Sequence, residues 1–90
     1  MAAYTLEVRP RARRSLRQLD PPVRKVVAQV IDSLAADPRP AGFLPLVGHR
    51  PYLRVRSGDY RVIYTVDDHA RIVIVAAIGH RREIYRSFNL

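Results

Sequence analysis

The sequence predicts an α+β protein, ordered β-α-α-β-β-β with a short tail, in which a helical hairpin packs on one face of a mainly antiparallel sheet. Three observations predict it. Apolar residues recur at helical spacing in two segments between residues 10 and 34. Three β-rich runs separated by turn residues follow between residues 52 and 79. One alternating run, "YTLEV", precedes them all. Helices gathered on one face of an antiparallel sheet are the usual packing solution for such an order.

Residues 4–8 alternate, with Tyr4, Leu6 and Val8 on one face of a strand. Pro10 opens a helix running to about Leu19. Ala12, Leu16 and Leu19 fall at i, i+4 and i+7, and Arg11, Arg13, Arg14 and Arg17 fill the other faces. Asp20 is an N-cap residue, and Pro21 suits the first position of the helix after it. In that second helix Val23, Val26, Val27, Val30, Ile31 and Leu34 make one buried stripe. "DPRP" at 37–40 ends it, because Pro38 disfavours helix in the residue before it.

Residues 41–51, "AGFLPLVGHRP", form a loop with hydrophobic anchors at Phe43, Leu44 and Leu46. Strands follow over about 52–57, 60–67 and 71–79. Gly58-Asp59 is a two-residue hairpin turn, and glycine in its first position suits type II′. Asp67, Asp68 and His69 begin the next turn. The last strand, "RIVIVAAIG", is apolar on both faces and belongs inside the sheet. "RREIYRSF" is a short helix or an extended arm. The position of the first strand in the sheet stays open.

Ninety residues fit one domain, 1–90. Folding at this size buries roughly 60–65% of the unfolded chain's surface, enough for a thin core. There is no cysteine, so neither disulfide nor thiolate chemistry is available. The N-terminal residues lack the apolar stretch of a signal peptide and no run is long enough to span a bilayer. The expectation is a cytoplasmic protein with no membrane partner. Sixteen basic residues against eight acidic ones give a net charge of +8. That excess points to a polyanionic partner, nucleic acid above all. All but one of the basic residues are arginine, which forks onto phosphate and stacks on bases.

The hairpin register assigns the arginines to a face. With Gly58 and Asp59 as the loop, Ser57 opposes Tyr60, Arg56 opposes Arg61, Val55 opposes Val62, Arg54 opposes Ile63 and Leu53 opposes Tyr64. Opposed residues share a face. Leu53, Val55, Val62 and Tyr64 then point to the helices, and Tyr52, Arg54, Arg56 and Arg61 line the other side. A slip of one residue would mix charged and apolar side chains on both faces. Arg56 opposite Arg61 is unfavourable by itself, a cost that a bound anion offsets. The last strand delivers "GHRREIY". Arg81 has the parity of Val73, Val75 and Ala77, and Gly79 is a point where the chain can bend. Arg54, Arg61 and Arg81 are therefore candidates to meet on one phosphate, with Arg56, Tyr52 and Arg82 beside them.

"YLRVRSGDYRVIYTVDD" followed by "GHRREIY" resembles the RelE/ParE superfamily of bacterial toxins, and its RelE branch in particular. The likeness covers nearly the whole chain. It implies a toxin of a type II toxin–antitoxin system. The activity it implies is a ribosome-dependent endoribonuclease, an mRNA interferase that inhibits translation. It implies an acidic RelB-like antitoxin as partner, the ribosome and mRNA as targets, and operator DNA reached only through the antitoxin complex. It further implies that Arg61 and Arg81 contact the scissile phosphate and that Tyr85 stacks on a base or aids proton transfer. Two positions depart from the RelE pattern: Arg54 and Tyr52 stand where lysines are common. Alternatives on the same scaffold are a non-catalytic, ParE-like gyrase inhibitor, or a degenerate member that binds only antitoxin and operator DNA.

The chemistry can also be read directly. Attack of RNA's own 2′-OH needs a base, cations for the phosphorane charge and an acid for the 5′ oxygen. It calls for no cofactor and no metal; His49, His69 and His80 are scattered and Asp67-Asp68 reads as a turn. A neutral arginine costs roughly 8 kcal/mol at pH 7, so Arg54, Arg61 and Arg81 are charge stabilisers rather than bases. Ionising a tyrosine costs roughly 4 kcal/mol, and nearby arginines reduce it. Histidine is the best matched residue type. Tyr85 and His80 are thus the acid–base candidates, although a regular strand would point His80 away from Arg81. The arginines of the first helix, Arg13 and Arg17 among them, are either a solvated face or a dock for ribosomal RNA.

Overall fold

The computed structural model describes residues 3–87. Along the chain come β1 (Thr5–Val8), α1 (Pro10–Arg17), α2 (Pro21–Ser33), β2 (Leu44–Pro45), β3 (Leu53–Ser57), β4 (Tyr60–Asp67), β5 (Ile72–His80) and α3 (Ile84–Ser87). The strands form one sheet in the order β1-β5-β4-β3-β2. β1 runs parallel to β5, with Leu6 beside Val73, and every other pairing is antiparallel. This is the α+β architecture expected, with the open question of the first strand resolved: it lies outside β5. β2 is an addition, a two-residue edge strand inside the segment read as loop. The tail "RREIYRSF" takes the helical alternative over Ile84–Ser87; Phe88 lies outside the described residues.

Asp20 occupies the N-cap of α2 but its carboxylate makes no capping bond. Pro21 and Pro22 fill the first two helical positions, and neither has an N–H to offer. The Asp20 carbonyl instead accepts the Arg24 N–H at 2.8 Å. The valine stripe of α2 is narrower than its spacing predicts. Val27, Ile31 and Leu34 are buried, whereas Val26 is 53% exposed. With Ala12 of α1 they pack on Val55, Val62, Tyr64, Val73, Val75 and Ile78, the main core.

The hairpin register matches the expected one at every pair from Ser57–Tyr60 to Leu53–Tyr64. Gly58 has φ 60 and Asp59 keeps a negative φ, the combination of a type II′ turn. Parity along β5 differs from the reading above. Ile63 pairs with Ala77 but Tyr64 pairs with Val75, so Ala76 is an extra residue in a β-bulge. Val73 and Val75 therefore belong to the core under the helices, while Ala77 turns to the other face, against Leu46, Ile63 and Ile84. The bulge re-aims everything after it, and Arg81 emerges on the side of Arg61.

Two polar anchors close the helix side. Tyr64, fully buried, donates its hydroxyl to the Pro38 carbonyl at 2.7 Å. Asp68 accepts both Arg39 nitrogens, at 3.1 and 2.9 Å, and the Tyr4 hydroxyl at 2.6 Å. It thus joins the residue before β1, the loop after α2 and the β4–β5 turn. These donors hold the Asp68 carboxyl below the usual range, the Arg39 bond contributing most.

Burial pushes the Tyr64 phenol up to about 12, above the ordinary value near 10. Folding therefore favours its protonated form. Its contribution to stability is complete below about pH 10 and is lost as the pH rises through 12. The expected result is a fall in the urea midpoint across that interval, which Tyr64→Phe flattens. At neutral pH the same variant is destabilised by about 1–3 kcal/mol, because the Pro38 carbonyl loses its donor.

Candidate nucleic-acid interface

The face of the sheet away from α1 and α2 carries the candidate site. On β3 and β4, alternation sends Arg54, Arg56 and Arg61 to this face, because the intervening residues fill the main core. A second, smaller apolar cluster of Leu46, Ile63, Ala77 and Ile84 lies beneath it. This cluster fixes two walls at once. Leu46 anchors the loop after β2, and Ile84 anchors α3. Each buried anchor precedes an exposed side chain: Val47 is 91% exposed and Tyr85 45%.

Between the walls is an open cleft of about 600 Å³, lined by Arg54, Arg61, Arg81 and Tyr85 together with Leu44, Leu46, Val47 and His49. A second hollow of about 560 Å³ adjoins it and shares Arg54 and Arg61, with Arg56 added. The basic floor is continuous across both. Of the four large hydrophobic side chains exposed among the described residues, Leu44, Val47 and Tyr85 border the first cleft. Cationic floor and apolar rim together suit a ligand with anionic groups and flat apolar faces, as a nucleotide has.

The hairpin turn orients the arginines. The Gly58 carbonyl accepts Nε of Arg56 and a terminal nitrogen of Arg61, both at 3.2 Å. Arg61 also donates to the Tyr60 carbonyl at 3.2 Å. A shared backbone acceptor thus relieves part of the repulsion between two directly opposed guanidinium groups. The Arg81 N–H donates to the Asp59 carbonyl at 2.7 Å. Nε of Arg81 lies 3.7 Å from the Asp59 carboxylate, a long pair with both side chains about half exposed or more. Such a pair is worth little in water and leaves Arg81 open to exchange Asp59 for another anion. Asp59→Asn, which keeps the turn, is expected to tighten binding of a short single-stranded RNA about two- to three-fold. Titration of fluorescently labelled RNA at fixed salt checks this.

The other residues singled out from sequence fall outside the cleft. His80 pairs with Tyr60 on β4 and stands edge-on to its ring at 5.6 Å, on the helix face of the sheet. Its Nδ1 accepts the Arg82 N–H at 3.3 Å. The bulge that turned Arg81 toward the cleft turned His80 away. Tyr52 packs beside the small apolar cluster. Arg82 is exposed after β5, and Arg13 and Arg17 are exposed on α1, in the layer across the sheet from the cleft. The sequence reading set His49 aside as one of three scattered histidines and did not single out Val47. Both sit in irregular backbone, where neither period 2 nor period 3.6 assigns a direction. The flanking glycines, Gly42 at φ 90 and Gly48 at φ 77, were the available sign of a shaped loop.

Comparison with known proteins places this geometry in a family. A model described as the ParE toxin of the type II toxin–antitoxin system, parDE, matches residues 6–85. The toxin RelG of Mycobacterium tuberculosis is 31% identical over 90 residues, covering 92% of this chain and 97% of RelG. The toxin–antitoxin complex RelBE2 of M. tuberculosis contains a chain that superposes with a TM-score of 0.74 at 29% identity, over 88% of this chain and 99% of that one. For the intact RelBE toxin–antitoxin complex of E. coli the TM-score is 0.73 at 30% identity, over 87% and 96%. The chain belongs to the RelE/ParE superfamily of type II toxin–antitoxin toxins, on its RelE-like branch.

Proposed function

We propose that this toxin is an mRNA interferase, a ribosome-dependent endoribonuclease that cleaves mRNA by attack of the 2′-OH on the adjacent phosphate. The observation that carries this reading is the meeting of Arg54 of β3, Arg61 of β4 and Arg81 after β5 in one cleft with Tyr85. Arg61 is held by two backbone carbonyls and presents its guanidinium to the cleft with little freedom. Arg81 and Arg54 complete a cationic cradle for the charge that develops on the phosphorane oxygens. Tyr85 stacks on a base or carries a proton. The rim of Leu44 and Val47 covers the apolar face of a neighbouring base. Cleavage breaks the P–O5′ bond and leaves a 2′,3′-cyclic phosphate and a 5′-OH.

The partner is an acidic, RelB-like antitoxin, in line with the complexes formed by the M. tuberculosis and E. coli proteins. It neutralises the basic face and so blocks access to phosphate. Operator DNA is reached only through that complex, and the site of action is the cytoplasm. Among the described residues no helix is long and apolar enough to cross a membrane.

Transcript ends mapped after induction test the reading. Codon-phased cuts within translated messages, repeated with purified ribosomes and toxin, are the expected result. DNA damage with intact mRNA would instead assign the chain to gyrase inhibition, and normal growth with intact mRNA would mark it as an antitoxin-binding member without activity.

A further inference from the structure

The mechanism needs a group that takes the 2′-OH proton, and the cleft holds few choices. Its lining side chains are Leu44, Pro45, Leu46, Val47, His49, Arg54, Arg61, Arg81 and Tyr85. The aliphatic residues carry no exchangeable proton. Arginine stays protonated in proteins and accepts none. His80, the histidine favoured by sequence, stands on the opposite face. His49 and Tyr85 remain.

We infer that His49 is a catalytic residue of this toxin, the general base that takes the 2′-OH proton while Tyr85 is the acid that protonates the leaving O5′. The inference rests on the endoribonuclease reading and adds the proton route to it. The division of labour follows from residue chemistry. Near pH 7.5 imidazole is mostly neutral and phenol is protonated. The roles match those residue types, and no tyrosine has to be ionised first, a step that costs roughly 4 kcal/mol. The step balances. The imidazole nitrogen gains the 2′-OH proton as the 2′ oxygen bonds to phosphorus. The P–O5′ bond breaks, and the departing oxygen takes the Tyr85 proton. Water carries a proton from the imidazolium to the phenolate, which resets both groups.

The main chain of the loop is fixed at His49. The His49 N–H donates to the Leu46 carbonyl at 3.0 Å, and the His49 carbonyl accepts the Tyr52 N–H at 2.9 Å. Main-chain bonds thus fix this turn on the buried Leu46, and His49 lines the cleft. The charged and titratable groups that share the cleft with it are Arg54, Arg61, Arg81 and Tyr85, and Arg50 follows on its own loop.

The test uses full-length toxin, purified ribosomes and a short mRNA carrying either the natural phosphodiester or a 5′-bridging sulfur at the cut site. A thiolate leaves without a proton, so this substrate bypasses the acid but not the base. His49→Ala is expected to slow single-turnover cleavage of both substrates about 100-fold, with partial rescue by added imidazole. Tyr85→Phe is expected to slow cleavage of the natural substrate by a similar factor and to be restored on the sulfur substrate. Unchanged cleavage by His49→Ala, or restoration of His49→Ala by the sulfur substrate, would overturn the assignment. An inactive wild-type protein would instead overturn the endoribonuclease reading, which keeps the two failures apart. Circular dichroism and the melting temperature of His49→Gln, whose main-chain bonds are retained, separate lost chemistry from lost structure.

Discussion

Arg61→Ala will lower single-turnover cleavage of ribosome-bound mRNA by about 100- to 1,000-fold and leave the fold intact. The magnitude is that of removing one fixed charge stabiliser from a transition state. Within the cleft, Arg61 is tied by one terminal nitrogen to the Gly58 and Tyr60 carbonyls. Its strand position opposes Arg56, so its removal also relieves a like-charge contact, and stability should change by no more than about 0.5 kcal/mol. Arg61→Lys will not restore activity, because an ammonium lacks the fork that meets backbone and phosphate together. Arg81→Ala is expected to cost less, about ten- to 100-fold, since Arg81 is exposed and must leave Asp59 before it meets the substrate. Single-turnover rates with urea titrations of each variant check these values. Wild-type toxicity in Arg61→Ala would dismantle the cradle.

Gly79→Val will retain the sheet and lose the site. Gly79 is in β5 opposite Arg61, and its backbone φ is not positive, so valine suits the strand itself. A Cβ here would lie 2.8 Å from Cδ1 and 3.3 Å from Cβ of Ile84. Valine adds two methyl groups to that conflict. Ile84, only 2% exposed, is the residue that fastens α3 to the sheet. The expected outcome is displacement of α3 and withdrawal of Tyr85 from the cleft. Cleavage falls at least ten-fold while destabilisation stays within the usual 1–3 kcal/mol of an overpacked position. Hydrogen exchange should show faster amide exchange near residues 84–86 and unchanged protection in β4. Full activity in Gly79→Val would mean that α3 does not need its dock.

Local chemistry made much of this fold legible. Gly58-Asp59 set the hairpin register by itself, since only one register sorts Val55 and Val62 from Arg54 and Arg61. The stripe from Val27 to Leu34 gave the second helix. Three features lay beyond such reasoning. β1 joins β5 in parallel across most of the chain's length, and nothing within "YTLEV" encodes its neighbour. The bulge at Ala76 adds one residue among small apolar ones that look alike on either face. It moved Ala77, His80 and Arg81 to faces opposite those that unbroken alternation from Val73 and Val75 assigns. His49 lies on a loop whose direction comes from main-chain bonds to Leu46 and Tyr52, and no periodic pattern reports those. Arg54 and Arg61 could be named because strands carried them, whereas Arg81 lies past the bulge and past the end of β5; periodicity could not name the cleft's histidine.

The pairing of Leu6 with Val73 has a consequence for when this molecule becomes dangerous. A contact between such distant parts of the chain forms late, because a long loop must close before the contact stabilises anything. β1 docks on β5, and Arg81 and Tyr85 follow β5 in the chain. A partly synthesised chain therefore carries its arginine-rich helix and hairpin without a finished weapon. The cleft is whole only when the last strand and the helix after it are in place, since both supply its lining.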